Sequence, residues 1–319
     1  MAKVALSHRP ATLSDVGVWS DIYTSAPGRE VDPVQTRYDW EHPARNWVHA
    51  YFVWQDGPRV VGAGAMAHPR WETAPKRFAS IGAELAPSHR DRERLAEVHA
   101  FLERSARDDG AALVRGSAVE GDEVRQDALR ALGYREDRRT KRWELDLSAG
   151  RERITAMARQ SRQRMRDAGI AVLTLDRDTD PETVRKLWLL SNEADADIPS
   201  TLPSIEAPYE DFVEWLAYPG MYRDRVWIAR RGDEVLGLSV LEYPPVRGKV
   251  NTAWTATARS IRGQGVARAL KCETLVQAIA LGVDRVRTGN DGANDPILHI
   301  NASMGYVSIP GRVDFLKDL

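Results

Sequence analysis

One cysteine, Cys272, stands in 319 residues. A single thiol forms no internal disulfide and no thiolate metal cluster, and such scarcity suits a reducing compartment. Long apolar runs are absent too. None approaches the ~18 residues that a membrane-spanning helix needs. The opening Met-Ala-Lys-Val-Ala-Leu-Ser-His-Arg-Pro lacks a secretory apolar core. The expectation is a soluble, cytoplasmic chain with no membrane partner. Neither charge sign is in surplus, with 45 Lys+Arg against 46 Asp+Glu and a net charge of −1. That argues against nucleic acid as the main partner, because phosphate neutralisation needs a basic excess. The seven histidines are scattered without a His-x-x-x-His pair, so no metal site is expected. The remainder is globular in composition, 43% hydrophobic and 29% charged. At ~150 residues per domain the length suits about two domains.

An internal repeat supports that division. Leu132-Gly133-Tyr134 and Met304-Gly305-Tyr306 lie 172 residues apart, and the same offset pairs Arg90 with Arg262 and Arg115 with Arg287. Gly57-Pro-Arg-Val60-Val-Gly62 and Gly232-Asp-Glu-Val235-Leu-Gly237 match at 175, a drift that a small loop insertion explains. The ordered set reads as a tandem duplication of a ~150-residue unit.

The unit reads as mixed α/β. Residues 226–230 and 235–242 are short apolar runs flanking Arg231-Gly232-Asp233, a hairpin signal. Residues 249–257 read as a third strand. Residues 265–281 carry helical apolar spacing at Val266, Leu270, Leu275 and Ile279, closed by Gly282. A strand over 284–288, a short helix over 296–304 and a last strand over 312–316 follow. The first half repeats this order less clearly. Residues 148–169 form an Arg-rich helical linker, read as a solvated connector rather than a phosphate-binding helix. The boundaries are therefore 1–147, 148–169 and 170–319. Residues 198–208 form a Pro-punctuated loop of the kind that walls a pocket.

The segment that carries chemistry is Thr255-Ala-Thr-Ala-Arg-Ser-Ile-Arg262-Gly263-Gln264-Gly265-Val266-Ala267-Arg268. A strand ends, a glycine turn follows and a helix begins. Two glycines let backbone N–H groups face outward, and with the helix N-terminus they suit a pyrophosphate. No Gly-x-x-x-x-Gly-Lys-Ser/Thr string occurs, which excludes a P-loop. A dinucleotide fingerprint fails at Arg268, and only 57 residues follow Arg262. Arg262-x-x-Gly265-x-Ala267 fits the remaining pattern, Arg-x-x-Gly-x-Gly/Ala.

In this the chain resembles the GCN5-related N-acetyltransferase (GNAT) superfamily. The resemblance extends through Asn290, Asn294 and Gly305-Tyr306. It covers residues 170–319 and, through the repeat, 1–147 more weakly. It implies a tandem duplication of the GNAT fold and acetyl-CoA as co-substrate. It places the pyrophosphate at Gly263, Gln264, Gly265, Val266, Ala267 and Arg268 with Arg262, and the pantetheine arm along Thr255, Ala256 and Thr257, with Asn290 and Asn294 beyond. The N–H near Thr255 would polarise the thioester carbonyl. Arg259 stands where the family commonly has proline. Asn301 stands where many members have a general-acid tyrosine; an amide can hydrogen-bond but not titrate. Tyr306 reads as a packing aromatic, and Trp254 as a wall of the acyl site. Glu242 is a candidate base, and Glu193, Asp195 and Asp197 are candidate ligands for a cationic acceptor.

In the first half the turn reads His89-Arg90-Asp91-Arg92-Glu93, with acids where the second half has glycines. Carboxylates there repel a pyrophosphate, so this half is expected to have lost its CoA site. Some tandem members are thought to use the first domain, so the point needs structure. The function implied is acetyl transfer to the amine of a small molecule. A different acyl-CoA or an aminoacyl donor, and a non-catalytic CoA-binding module, are the alternatives.

Overall fold

The computed structural model describes residues 6–319. Each half has one order of elements. The first runs β1 (Ser7–Pro10), α1 (Val16–Thr24), α2 (Pro33–Glu41), β2 (Trp47–Asp56), β3 (Arg59–Pro69), β4 (Phe78–Leu85), α3 (Arg92–Asp108), β5 (Leu113–Val119), α4 (Glu123–Ala131) and β6 (Arg135–Asp146). Helix α5 (Leu147–Asp167) follows. The second half runs β7 (Ala171–Thr174), α6 (Thr183–Asp195), α7 (Tyr209–Trp215), β8 (Val226–Arg231), β9 (Glu234–Glu242), β10 (Val250–Thr257), α8 (Val266–Ala280), β11 (Arg285–Asp291), α9 (Asp295–Met304) and β12 (Val307–Asp318). The expected mixed α/β duplication is therefore present, and the first half is as complete as the second.

All the strands join one sheet, in the order β1-β2-β3-β4-β5-β12-β6-β11-β10-β9-β8-β7. The last strand expected over 312–316 is present, and the halves exchange their last strands. β12 pairs antiparallel with β5, from Arg312↔Val119 to Asp318↔Leu113. β6 pairs antiparallel with β11, from Arg285↔Asp146 to Asp291↔Thr140. The cores follow the exchange. Val313 and Phe315 of β12 pack with Leu95, Leu102 and Leu129 of the first half. Leu145 and Leu147 pack with Cys272, Leu275 and Met304 of the second. Each such fully buried side chain is worth roughly 1.5–3 kcal/mol, so each half depends on a strand from the other.

The linker helix is not merely a solvated connector. Ile154, Ala158, Ser161 and Met165 form a buried stripe at helical spacing, and Arg162 pairs with Glu273 of α8 at 2.6 Å. Between the halves, Asp32 accepts from the backbone of Val246 and Arg247, each at 2.6 Å. Tyr38 donates to the Glu214 carbonyl at 2.9 Å.

Candidate active site

The site begins where two parallel strands part. β10 and β11 are paired only at Val250↔Val286 and Asn251↔Arg287. Beyond these residues the strands diverge. On its other edge β10 slips register against β9 between Thr252 and Trp254, which leaves Ala253 as an extra residue. Such a bulge disrupts the ladder and leaves backbone groups unpaired. It lies two residues before Thr255, the position expected to supply the polarising N–H. Thr255 is back in register opposite Ser239, and their hydroxyls lie 2.8 Å apart.

Between the parted strands opens a cleft of about 1240 Å³. The glycine turn lines one end of it. Gly263 and Gly265 adopt φ of +76° and +89°, values that side chains rarely tolerate. Gly265 is the N-cap of α8, and no side chain caps the helix. The first-turn N–H groups are left for an anion, which the helix dipole favours. Arg262 and Arg268 line the same end, as expected. Arg164 of α5 joins them, its guanidinium about one van der Waals contact from where a Gly265 side chain would begin, at 3.4–3.5 Å. Nothing in the repetitive arginine pattern of residues 148–169 marks that residue out.

Of the residues expected at the cofactor, Thr255, Ala256, Thr257, Arg262, Gly263, Gly265, Val266, Ala267, Arg268, Asn290 and Asn294 all line this cleft, whereas Gln264 does not. Trp254 lines it too, and its indole N–H is buried without a partner. Tyr306 is 4% exposed and lies in the core, as expected.

Two expectations change. Asn301 is fully buried and stands behind the cleft wall, donating through Nδ2 to Asn290 Oδ1 at 2.7 Å. It orients Asn290 rather than facing the cleft itself. The acids 193, 195 and 197 have partners within the chain. Glu193 accepts from the Arg259 backbone N–H at 2.9 Å. Asp195 accepts from Ser204 Oγ at 2.5 Å. Asp197 pairs with Arg259 at 2.5 Å and with Arg262 at 2.7 Å, and the Arg259 guanidinium foremost holds its carboxyl well below the usual range. Asp197 is thereby tied to the glycine turn by two guanidiniums, whereas Glu193 and Asp195 accept only from neutral donors. Arg259, which stands where the resemblance has proline, engages Glu193 through its N–H and Asp197 through its guanidinium.

Glu242 lies at the end of β9, opposite Asn251 and so beside the point where the strands part. It is half-buried and accepts from Gln35 Nε2 of the first half at 2.9 Å. Burial raises its pKa. It faces the junction of the halves, where Tyr218 donates to Asp39 at 3.3 Å.

The first half contains the same parting of strands, with a different filling. β4 and β5 pair only from Phe78↔Leu113 to Ser80↔Arg115, and β4 carries no bulge against β3. The gap holds a buried ionic cluster. Glu84 binds Arg125 and, at 2.8 Å, Arg90; Arg90 also binds Asp122 at 2.6 Å. Glu84 and Arg125 are at most 1% exposed. Asp91 caps its own helix by accepting from the Arg94 N–H at 2.9 Å. The N–H groups that the second half leaves open are here used internally.

No protein-family profile matches the sequence, and no curated protein matches it. Solved structures do. A tandem GNAT protein from the clavulanic acid biosynthesis pathway superposes with a TM-score of 0.74 at 18% identity, over 98% of both chains. The chain has the tandem GNAT fold. A GCN5-related N-acetyltransferase from Sphaerobacter thermophilus gives 0.69 at 16% identity, over 98% of this chain and 95% of that one. The glucosamine N-acetyltransferase region of a fungal multi-domain GH3 β-N-acetylglucosaminidase gives 0.66 at 16%, over 99% of this chain and 38% of that one. Likeness at such identities carries the GNAT fold and leaves chemistry to the site. Among the described residues, no His, Cys, Asp or Glu group could hold a metal, and no helix is long and apolar enough to cross a membrane.

Proposed function

We propose that the chain is an acetyl-CoA-dependent N-acetyltransferase that works through its second half and acetylates a small amine. One observation carries this reading. The bulged, parted strands lead to a glycine-capped helix end with no side-chain cap and three arginines beside it. The first half's corresponding gap is filled by Glu84, Arg90, Asp122 and Arg125.

The residues present fit an acyl-CoA. Val266 and Ala267 offer N–H groups to a pyrophosphate, and Arg164, Arg262 and Arg268 offer charge. The edge of β10 from Thr255 to Thr257 offers backbone pairing to an amide-bearing arm, in the manner of an added strand. The bulge at Ala253 interrupts the β9 ladder just before Thr255, whose backbone N–H the resemblance would aim at a developing oxyanion. Bound acetyl-CoA supplies an activated thioester carbonyl. The protein's own work is to hold that carbonyl and an amine in reach of each other, which by itself removes much of the barrier.

The acceptor enters, on this reading, from the junction of the halves near Glu242. A half-buried carboxylate with raised pKa is suited to take a proton from an ammonium near neutral pH. This choice is preferred to Asp197, whose charge Arg259 and Arg262 match, and to Glu193 and Asp195, which are held by the Arg259 N–H and the Ser204 hydroxyl.

The test combines calorimetry with acetyl-CoA and thiol release in the presence of mixed amines. Binding with amine-dependent release supports the reading. Binding without release for any amine or acyl-CoA leaves a CoA-binding module and refutes the enzyme. Release with longer acyl-CoAs alone refutes the acetyl assignment. Glu242→Gln should remove an acid limb from kcat/KM that lies above the ordinary carboxylate range.

A further inference from the structure

Helix α8 buries a lysine among apolar neighbours. Lys271 lies between Leu270 and Cys272 and is 2% exposed. Its ammonium has neither hydrogen bond nor ion pair with any described residue. It stands over the Tyr306 ring, 5.6 Å from the centroid. An uncompensated buried charge opposes folding, and groups in that condition concentrate at functional sites.

Its place is specific. Lys271 lines the cleft together with Thr252 and Thr288, the first residues after β10 and β11 part. It lies six residues beyond Gly265, about 9 Å further along the helix axis. A thioester whose phosphates rest on the glycine turn reaches its reactive end in that direction. Thr252 Oγ1 and Trp254 Nε1, on the same wall, are also buried without partners. No tyrosine lines the cleft, and Asn301 stands behind it.

We propose that Lys271 Nζ donates the proton that the departing sulfur needs. The inference rests on the reading that the cleft holds an acyl-CoA. The amine nitrogen bonds to the carbonyl carbon, and the C–S bond breaks with its electron pair on sulfur. Sulfur takes a proton from Nζ. The neutral Nζ then takes the proton shed by the new amide nitrogen, directly or through water, and is an ammonium again. One amine hydrogen has moved to sulfur, and no other reactant is consumed.

The surroundings suit a group that gives and regains a proton. Burial lowers the ammonium to about 8, opposed by Cys272. The facing titratable groups do not compete near neutrality. Burial raises the Cys272 thiol to about 11 and pushes the Tyr306 phenol higher still. α5 brings Ser161, and β10 and β11 bring Thr252 and Thr288. Elsewhere in the cleft Asp197 is held by Arg259 and Arg262, and Asp291 is held by Arg138 at 2.6 Å. His299 and Asp295 are exposed on α9. The repeat supplies an internal contrast. His99, 172 residues earlier, occupies the matching place on α3; it is fully buried, and burial presses it to about 3. The plugged half has no ammonium there.

The test reads the sulfur directly, without turnover. Wild type, Lys271→Met and Lys271→Gln are each saturated with CoA, and the bound thiol is titrated by its thiolate ultraviolet absorbance. An ammonium beside sulfur stabilises the thiolate, so the wild-type thiol should ionise about one pH unit or more below that in either variant. Both variants should keep CoA affinity within about threefold and lose about 10²–10⁴-fold in kcat. The second variant preserves the comparison if the first fails to fold. Identical thiol titrations in wild type and variants overturn the role of Lys271 and leave the cleft reading intact. A wild type that binds no CoA overturns the cleft reading and this proposal with it. A variant that loses only donors with a carboxylated acyl chain also overturns it, since Lys271 is then a counterion for the acyl group.

Discussion

Replacing Lys271 by methionine should make the protein more stable and less active. The side chains are similar in length, and no other charged group among the described residues pairs with the ammonium, so the change mainly removes a buried charge. The ammonium is lowered from 10.5 to about 8 by burial. A difference of 2.5 pH units at 1.36 kcal/mol each corresponds to about 3 kcal/mol. The sign follows from proton counting. Between about pH 8 and 10.5 the unfolded chain holds a proton that the folded chain has released, so wild-type stability rises with pH across that window. Below it, the full penalty is present. The methionine variant should therefore exceed wild type by up to about 3 kcal/mol at pH 7, and the gap should close by about pH 10.5. Urea unfolding followed by tryptophan fluorescence at pH 7 and pH 10 measures both. A methionine variant less stable than wild type at pH 7, or a gap that does not change with pH, would refute the account of an unpaired buried ammonium.

Gly265→Glu should abolish CoA binding in calorimetry, since it forces a side chain into φ +89° and sets a carboxylate at the helix end; Glu93→Gly should leave binding unchanged. Arg164→Ala should weaken CoA binding about tenfold, the scale of one exposed charge-assisted hydrogen bond, with the loss shrinking as salt rises. Residues 148–319 expressed alone should aggregate, because β11 then exposes the edge that β6 covers, and co-expression with residues 1–147 should restore solubility. Glu84→Gln should destabilise the chain by up to about 3–5 kcal/mol in urea melts, since it leaves Arg90 and Arg125 to share the single carboxylate of Asp122, and it should leave CoA affinity unchanged.

What could be read from the sequence was what local chemistry dictates. Gly263 and Gly265 sit in left-handed backbone that a strand-to-helix turn requires, so their spacing with Arg262 reports the turn directly. The hairpin at Gly232, with φ +56°, and the helix stop at Gly305, with φ +92°, were legible for the same reason. The strand exchange was not, because β6 and β12 carry no local mark of which β-edge they will meet. Arg164 was hidden among similar arginines; only the packing of α5 on α8 selects it. Lys271 was hidden by a one-stripe view of its helix. Val266, Leu270 and Leu275 define the face toward the sheet, but α5 covers a second face, so Lys271, Cys272, Glu273 and Thr274 are buried as well. Among the acids at 193, 195 and 197 the number suggested a cation from outside, but Asp197 finds its cations in Arg259 and Arg262 within the chain.

The strand exchange and the unequal halves bear on one another. A duplicated unit with two open clefts would leave two bulged, weakly paired strand edges in one sheet. Here one gap is closed by Glu84, Arg90, Asp122 and Arg125, and β12 from the other half lies against β5 beside it. The first half thereby becomes a rigid support. It delivers β6 to the open side of β11, which fixes one wall of the remaining cleft. It also delivers Gln35 to Glu242, which lies opposite Asn251 where the strands part. A site on loops would need only its own half, but a cleft made by separating two strands needs something to hold them apart. The swapped strand on one side and α5 on the other, with Arg162 tied to Glu273, supply that restraint. The plugged half is in this sense part of the other half's architecture, since β6 covers one edge of β11 while β12 covers one edge of β5.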